Sequence, residues 1–152
     1  MEEFAATAEE LAPYSKLICM MSKLPASPVT TDVKKKFYNR AFSISGYEGR
    51  VVILHNANVG TWGANSRAFF SDKDDIRIDA KGDMVGYTPF TGKQDVEFSV
   101  KGSGKVFDFA SGKEMTLADG KGKAEILPGG GTMVFVGTQK EFDRLKAAAA
   151  VK

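Results

Sequence analysis

Hydrophobic and polar positions follow two different periods along this chain, and the change comes near position 32. Before it, Phe4, Leu11, Tyr14, Ile18 and Met21 recur at spacings of three, four and seven, which places them on one stripe of a helix. Glu2, Glu3, Glu9 and Glu10 crowd the N-terminal half of that segment, where negative charge suits the helix dipole, and Lys16 and Lys23 sit toward the other end. Pro13 interrupts the stripe and predicts a kink or the start of a second helix. Residues 23–32, with Pro25 and Pro28, read as an extended connector.

Beyond that point the pattern alternates. In 36–44, Tyr38, Phe42 and Ile44 share one face with Arg40, while Asn39, Ala41 and Ser43 share the other, as in a half-buried strand. Residues 51–54 are apolar at every position and predict a central strand covered on both faces. Further short strands are expected at 67–71, 76–80, 95–100, 105–109, 114–117, 123–127 and 132–136, separated by Gly-, Asp- and Lys-rich turns. Residues 139–150 read as a closing helix with Phe142, Leu145 and Ala149 on its apolar side. The expected fold is mainly β: an antiparallel sandwich of about eight strands with an N-terminal helix and a short C-terminal helix. The helical segment occupies 1–24 and the sandwich domain 33–152.

Composition narrows the chemistry. A chain of 152 residues predicts a single domain, and its net charge of +2 gives no electrostatic reason to expect nucleic acid or an anionic membrane as partner. The single cysteine, Cys19, excludes an internal disulfide framework, and the single histidine, His55, excludes a multi-histidine metal centre. No cofactor or metal is implied. The acidic start, MEEFAATAEE, lacks the basic and apolar regions of a secretory signal, so localisation stays open.

The individual candidates reduce mostly to structural roles. His55 ends an apolar strand and lacks a nucleophile elbow elsewhere in the chain, so it reads as a satisfied strand-end histidine. Cys19 reads as a small hydrophobe near the helix stripe. The run from Asp72 to Asp83 puts Arg77 and Asp83 where a calcium-binding helix–loop–helix needs glycine and glutamate, so a polar hairpin turn is the better reading. Gly102-Ser103-Gly104 lacks a following helix and reads as a hairpin turn, and Lys34-Lys35-Lys36 as edge protection of a strand. The constellation with most chemical content is aromatic: Trp62 near Asn65, and Tyr87 with Phe90, all in polar loops. A sugar ring can lie its C–H face on such rings while an amide takes its hydroxyls; the competing reading is that these rings plug the end of the core.

The order of features resembles the C-terminal tail of multidomain glycoside hydrolases, where the last helix of a catalytic (β/α) barrel runs into a small all-β sandwich. The matching residues are the acidic helix around Glu9-Glu10-Leu11, the Pro-containing connector and the first strand from Phe37. A strand ending in His55-Asn56 follows, then the segment 105–113, and last the segment 124–136 with its Pro128-Gly129 corner. The resemblance spans about residues 1–138, and its turns are of a kind that many sandwiches use. It implies a noncatalytic accessory domain that packs against the catalytic barrel of the same polypeptide and stabilises it. Catalytic carboxylates would belong to the barrel, so no catalytic residue is implied here. The expected partner surface is Phe4, Leu11, Tyr14 and Ile18, covered by the barrel or by a second copy in a homodimer. The alternative is a carbohydrate-binding module acting through Trp62, Tyr87, Phe90 and Asn65, with polysaccharide as ligand. An enzyme using Asp74, Asp75 or Asp79 ranks last, because nothing in their spacing demands two carboxyl groups across a cleft.

Overall fold

In the described part of the N-terminal segment the helix is short, and Met21, expected on its stripe, opens a strand instead. In the computed structural model, which describes residues 12–57, 77–78, 84–86 and 92–150, a 3-10 turn over Ala12–Tyr14 leads into helix α1, Ser15–Met20. Pro13 thus sits in a tighter turn that precedes the α-helix. The buried residue of α1 is Leu17, while Ile18 stays 43% exposed.

Among the described residues ten strands follow: β1 Met21–Lys23, β2 Val29–Thr31, β3 Phe37–Ile44, β4 Arg50–Asn56, β5 Arg77–Ile78, β6 Met84–Gly86, β7 Gln94–Val100, β8 Lys105–Asp108, β9 Lys121–Ile126 and β10 Gly131–Gly137. Helix α2, Gln139–Ala149, closes the fold. Eight strands form two antiparallel sheets, one of five in the order β1-β3-β4-β10-β8 and one of three in the order β2-β7-β9; β5 and β6 pair with each other. The mainly β architecture with a helix toward each end matches the alternation of the sequence.

Two apolar clusters hold these layers. Phe37 and Ala41 of β3, Val52 and Leu54 of β4, Val106 of β8 and Val134 of β10 meet Val29, Val96, Phe98, Ala124 and Ile126 of the smaller sheet. The opposite face of the five-stranded sheet, with Ile44, Val51, Phe107 and Phe135, packs on Leu17 of α1 and on Phe142, Leu145 and Ala149 of α2. Strand β4 therefore buries alternate side chains into two different cores, which is why 51–54 carries no polar position. Strand β3 does the same: Phe37 and Ala41 face the inner core, while Phe42 and Ile44 contribute to the outer one. It is covered on both faces at its C-terminal end, where alternation alone suggested a half-buried strand.

Helix α2 begins with a capping box. Thr138 Oγ1 accepts from the Glu141 amide at 3.2 Å, and Phe142 stacks on Phe107 with ring centroids 4.9 Å apart. The Glu141 carboxylate also accepts from the amides of Glu48 and Gly49, at 2.7 and 3.2 Å, which ties the β3–β4 turn to the helix.

Several local expectations change in the fold. The connector 23–32 contains β2 and the end of β1, each only three residues long, too short for a period to be read. Gly102-Ser103-Gly104 is not a hairpin: β7 lies in the three-stranded sheet and β8 in the five-stranded one, so the glycines turn the chain from one layer to the other. The Pro128 corner does the same between β9 and β10, with Gly129 at a φ of 79°. The strand expected at 114–117 reduces to a bridge between Glu114 and Phe107. Lys34 and Lys35 lie in a 3-10 turn before β3, whose start has a ladder partner only in β4, because β1 pairs with Phe42, Ser43 and Ile44 at the far end.

Candidate functional site

Register places the outer face of the five-stranded sheet in rows across the strands. One row runs Phe42, Val51, Phe135 and Phe107; the next has Arg40, Ile53 and Met133; the third has Tyr38, His55 and Gly131. Cover falls off from row to row. Val51, Phe135 and Phe107 are fully buried beneath the helices, Ile53 and Met133 are half-buried, and Tyr38, Arg40 and His55 are exposed, Tyr38 by 43%. Helix α1 has only six residues and α2 stacks Phe142 on the first row, so neither reaches the third.

The edge of the helical cover forms an apolar groove of about 550 Å³. Tyr14 and Ile18 form one wall, Phe42, Ile53 and Met133 the floor, and Phe109 the far side. Met21 and Thr132 complete it. Its chemistry is that of hydrocarbon, aromatic and thioether surface, suited to an apolar side-chain cluster of another surface. Arg40 and His55 lie beyond it on the same face, on adjoining rows.

A second feature joins the two sheets at one end. Asn56 is the one buried polar residue among the described residues, with no exposed surface. Its Nδ2 donates to Gln94 Oε1 at 2.8 Å and to the Ile126 carbonyl at 3.1 Å. Its own amide donates to the Gly130 carbonyl at 3.0 Å, and its carbonyl accepts from the Gly129 amide at 2.7 Å. The Asn56 side chain thus fastens the end of β4 to the start of β7 and the end of β9, and its backbone holds the Pro128 corner. Residues 58–91 connect the two points that this side chain brings together.

Of the residues singled out from sequence, Tyr14 and Ile18 come together in the groove. Phe4 and Leu11 lie outside the described residues, as do Trp62, Asn65, Tyr87 and Phe90, the acidic run 72–75 and Asp79. Cys19 is exposed on α1, and His55 is exposed across from Tyr38. Sequence reasoning missed the sheet half of the groove. Ile53 and Met133 read as ordinary core, and only the register that sets them side by side beyond the helices distinguishes them. Asn56 carried a signal, a polar residue closing an apolar strand, but its partners lie 38 and 70 positions away.

No family model, no curated protein and no solved structure matches this chain.

Proposed function

We propose that this chain is a noncatalytic β-sandwich accessory domain of a carbohydrate-active enzyme, and that it works by seating an apolar surface of its catalytic domain in the groove beside α1. The observation that carries the reading is the abrupt end of cover on the outer sheet face. Val51 is fully buried, yet Ile53 two residues on is only half-buried and Ile18 above it is 43% exposed. A stripe of this kind gains by being covered, at roughly 25 cal/mol for each Å² of apolar area removed from water. The carbohydrate context rests on the order of elements: the strand from Phe37, the strand ending in His55-Asn56 and the Pro128-Gly129 corner.

The test compares the isolated chain with the longest polypeptide whose reading frame contains it. An apolar dye should bind the isolated chain, and Ile18→Asp with Met133→Asp should abolish that signal. In the longer polypeptide the dye should find no site, and the amides of α1 should exchange more slowly. A longer polypeptide with the groove still open to dye, or a reading frame without a catalytic domain, would sink the proposal.

The second reading is a carbohydrate-binding module using Trp62, Asn65, Tyr87 and Phe90. The hydrogen bond between Asn56 and Gln94 favours it, because it anchors both ends of the segment that carries those residues. Titration with a panel of polysaccharides, followed by Trp62 fluorescence, separates the two: a saturable response supports the module, and none from any glycan rejects it.

A further inference from the structure

The three-stranded sheet ends in β9, and the free edge of that strand has an unusual symmetry. Antiparallel pairing alternates the direction of backbone groups along a strand. The Val100 amide donates to the Gly120 carbonyl at 2.8 Å, so by alternation the backbone groups of Gly122 and Ala124 turn toward β7. Those of Lys121, Lys123 and Glu125 turn the other way. Lys121 satisfies its pair within the chain, exchanging bonds of 2.9 Å with Ala118 in both directions. Lys123 and Glu125 are left presenting two amides and two carbonyls outward, with no strand beyond them among the described residues.

That edge borders open space. A groove of about 710 Å³ runs beside Lys123, Glu125 and Leu127, and is also lined by Asp108 and Thr132 of the five-stranded layer and by Ser111 in the turn after β8. An edge of this kind is a template for another strand.

We propose that the occupant is a second copy of the same strand, paired antiparallel about a twofold axis at Ala124. Only one register centred within this stretch lets the outward groups of Lys123 and Glu125 bond to each other. In it Lys123 faces Glu125 of the second copy, Glu125 faces its Lys123, and Ala124 meets Ala124. The sum of paired positions is constant, so Gly122 falls opposite Ile126, a small residue against a larger one on the core side. The register demanded by hydrogen bonding is thus the register that joins opposite charges on the solvent side. Lysines on an edge ordinarily repel a second strand; here each one meets a glutamate. Lys123 also lies 3.5 Å from Asp95 and 3.9 Å from Glu97, pairs more than half exposed and so weak enough to share its charge. The association extends each three-stranded sheet into one of six across the axis.

Charge reversal tests this directly. Sedimentation velocity on the purified chain over a wide concentration range should show a monomer–dimer equilibrium. Lys123→Glu alone and Glu125→Lys alone should each weaken it roughly tenfold, because the twofold axis counts each like-charge pair twice. The double variant K123E/E125K restores opposite charges across the axis and should return the equilibrium to within a few-fold of the parent. Hydrogen exchange gives a second readout: the Lys123 and Glu125 amides should gain protection with concentration, and the single reversals should remove it. A chain that stays monomeric overturns the proposal. So does a dimer indifferent to both single reversals, a double variant as weak as either single one, or a dimer that Ile18→Asp alone dissolves. The last of these would place the contact at the groove beside α1.

Discussion

Replacing Asn56 by aspartate alters one atom of the side chain and leaves no cavity, so it isolates the junction between the sheets. Nδ2 is the donor that satisfies both Gln94 Oε1 and the Ile126 carbonyl. A carboxylate there faces the carbonyl oxygen with no proton to offer, in a site with no exposed surface. The Gln94 amide can turn and present its nitrogen instead; the Ile126 carbonyl cannot. A buried carboxylate held against that carbonyl oxygen costs about 3 kcal/mol. At low pH the carboxyl holds its proton, donates one bond, and the cost falls to the loss of a single hydrogen bond, about 1 kcal/mol. Burial raises the folded-state pKa of the new acid above its unfolded value, so the penalty is absent below the unfolded range. It then grows by roughly 1.4 kcal/mol per pH unit until the folded group ionises. Urea unfolding of Asn56→Asp and of the parent between pH 4 and pH 8 measures this as a widening gap in midpoint. A gap below about 1 kcal/mol at neutral pH, or one that does not change with pH, would refute the claim that this side chain is dry and that its donor is essential.

Two further substitutions test the outer core and its cap. A methyl group at Gly49 lands inside the van der Waals envelope of the Phe135 ring, itself fully buried, so Gly49→Ala should cost about 1–3 kcal/mol and lower Tm in thermal unfolding. Burial of the Glu141 carboxyl raises its pKa, but amide donors from Glu48, Gly49 and Thr138, together with the Thr138 hydroxyl, outweigh that and hold it below its ordinary value of 4.5. Its stabilising contribution is therefore complete above that ordinary value and lost as pH falls through the lower folded one. Glu141→Gln should remove that acid dependence and cost about 1 kcal/mol at neutral pH by chemical denaturation, with Thr138 still capping the helix.

Period and turn chemistry determined the local part of this protein. The alternation of Lys121, Lys123 and Glu125 with Gly122, Ala124 and Ile126 is a strand with one wet face, and the spacing of Phe142, Leu145 and Ala149 is a helix with one dry side. Both follow from neighbours a few positions apart, whose side-chain directions the backbone period dictates. The apolar run from Val51 to Leu54 even carried its burial on two sides, except at Ile53, which is half-buried. Tertiary structure alone decided which layer each strand joins. Gly102-Ser103-Gly104 permits a tight turn whether the next strand pairs with the last or crosses to the opposite sheet, and pairing partners far along the chain make that choice. The same holds for the groove. Ile53 and Met133 become a surface only because antiparallel register sets them abreast and α1 ends before covering them. Asn56 is buried for a like reason: its acceptor on Ile126 arrives from 70 residues away. Contacts of that separation depend on how whole layers stack, a property that no window of sequence contains.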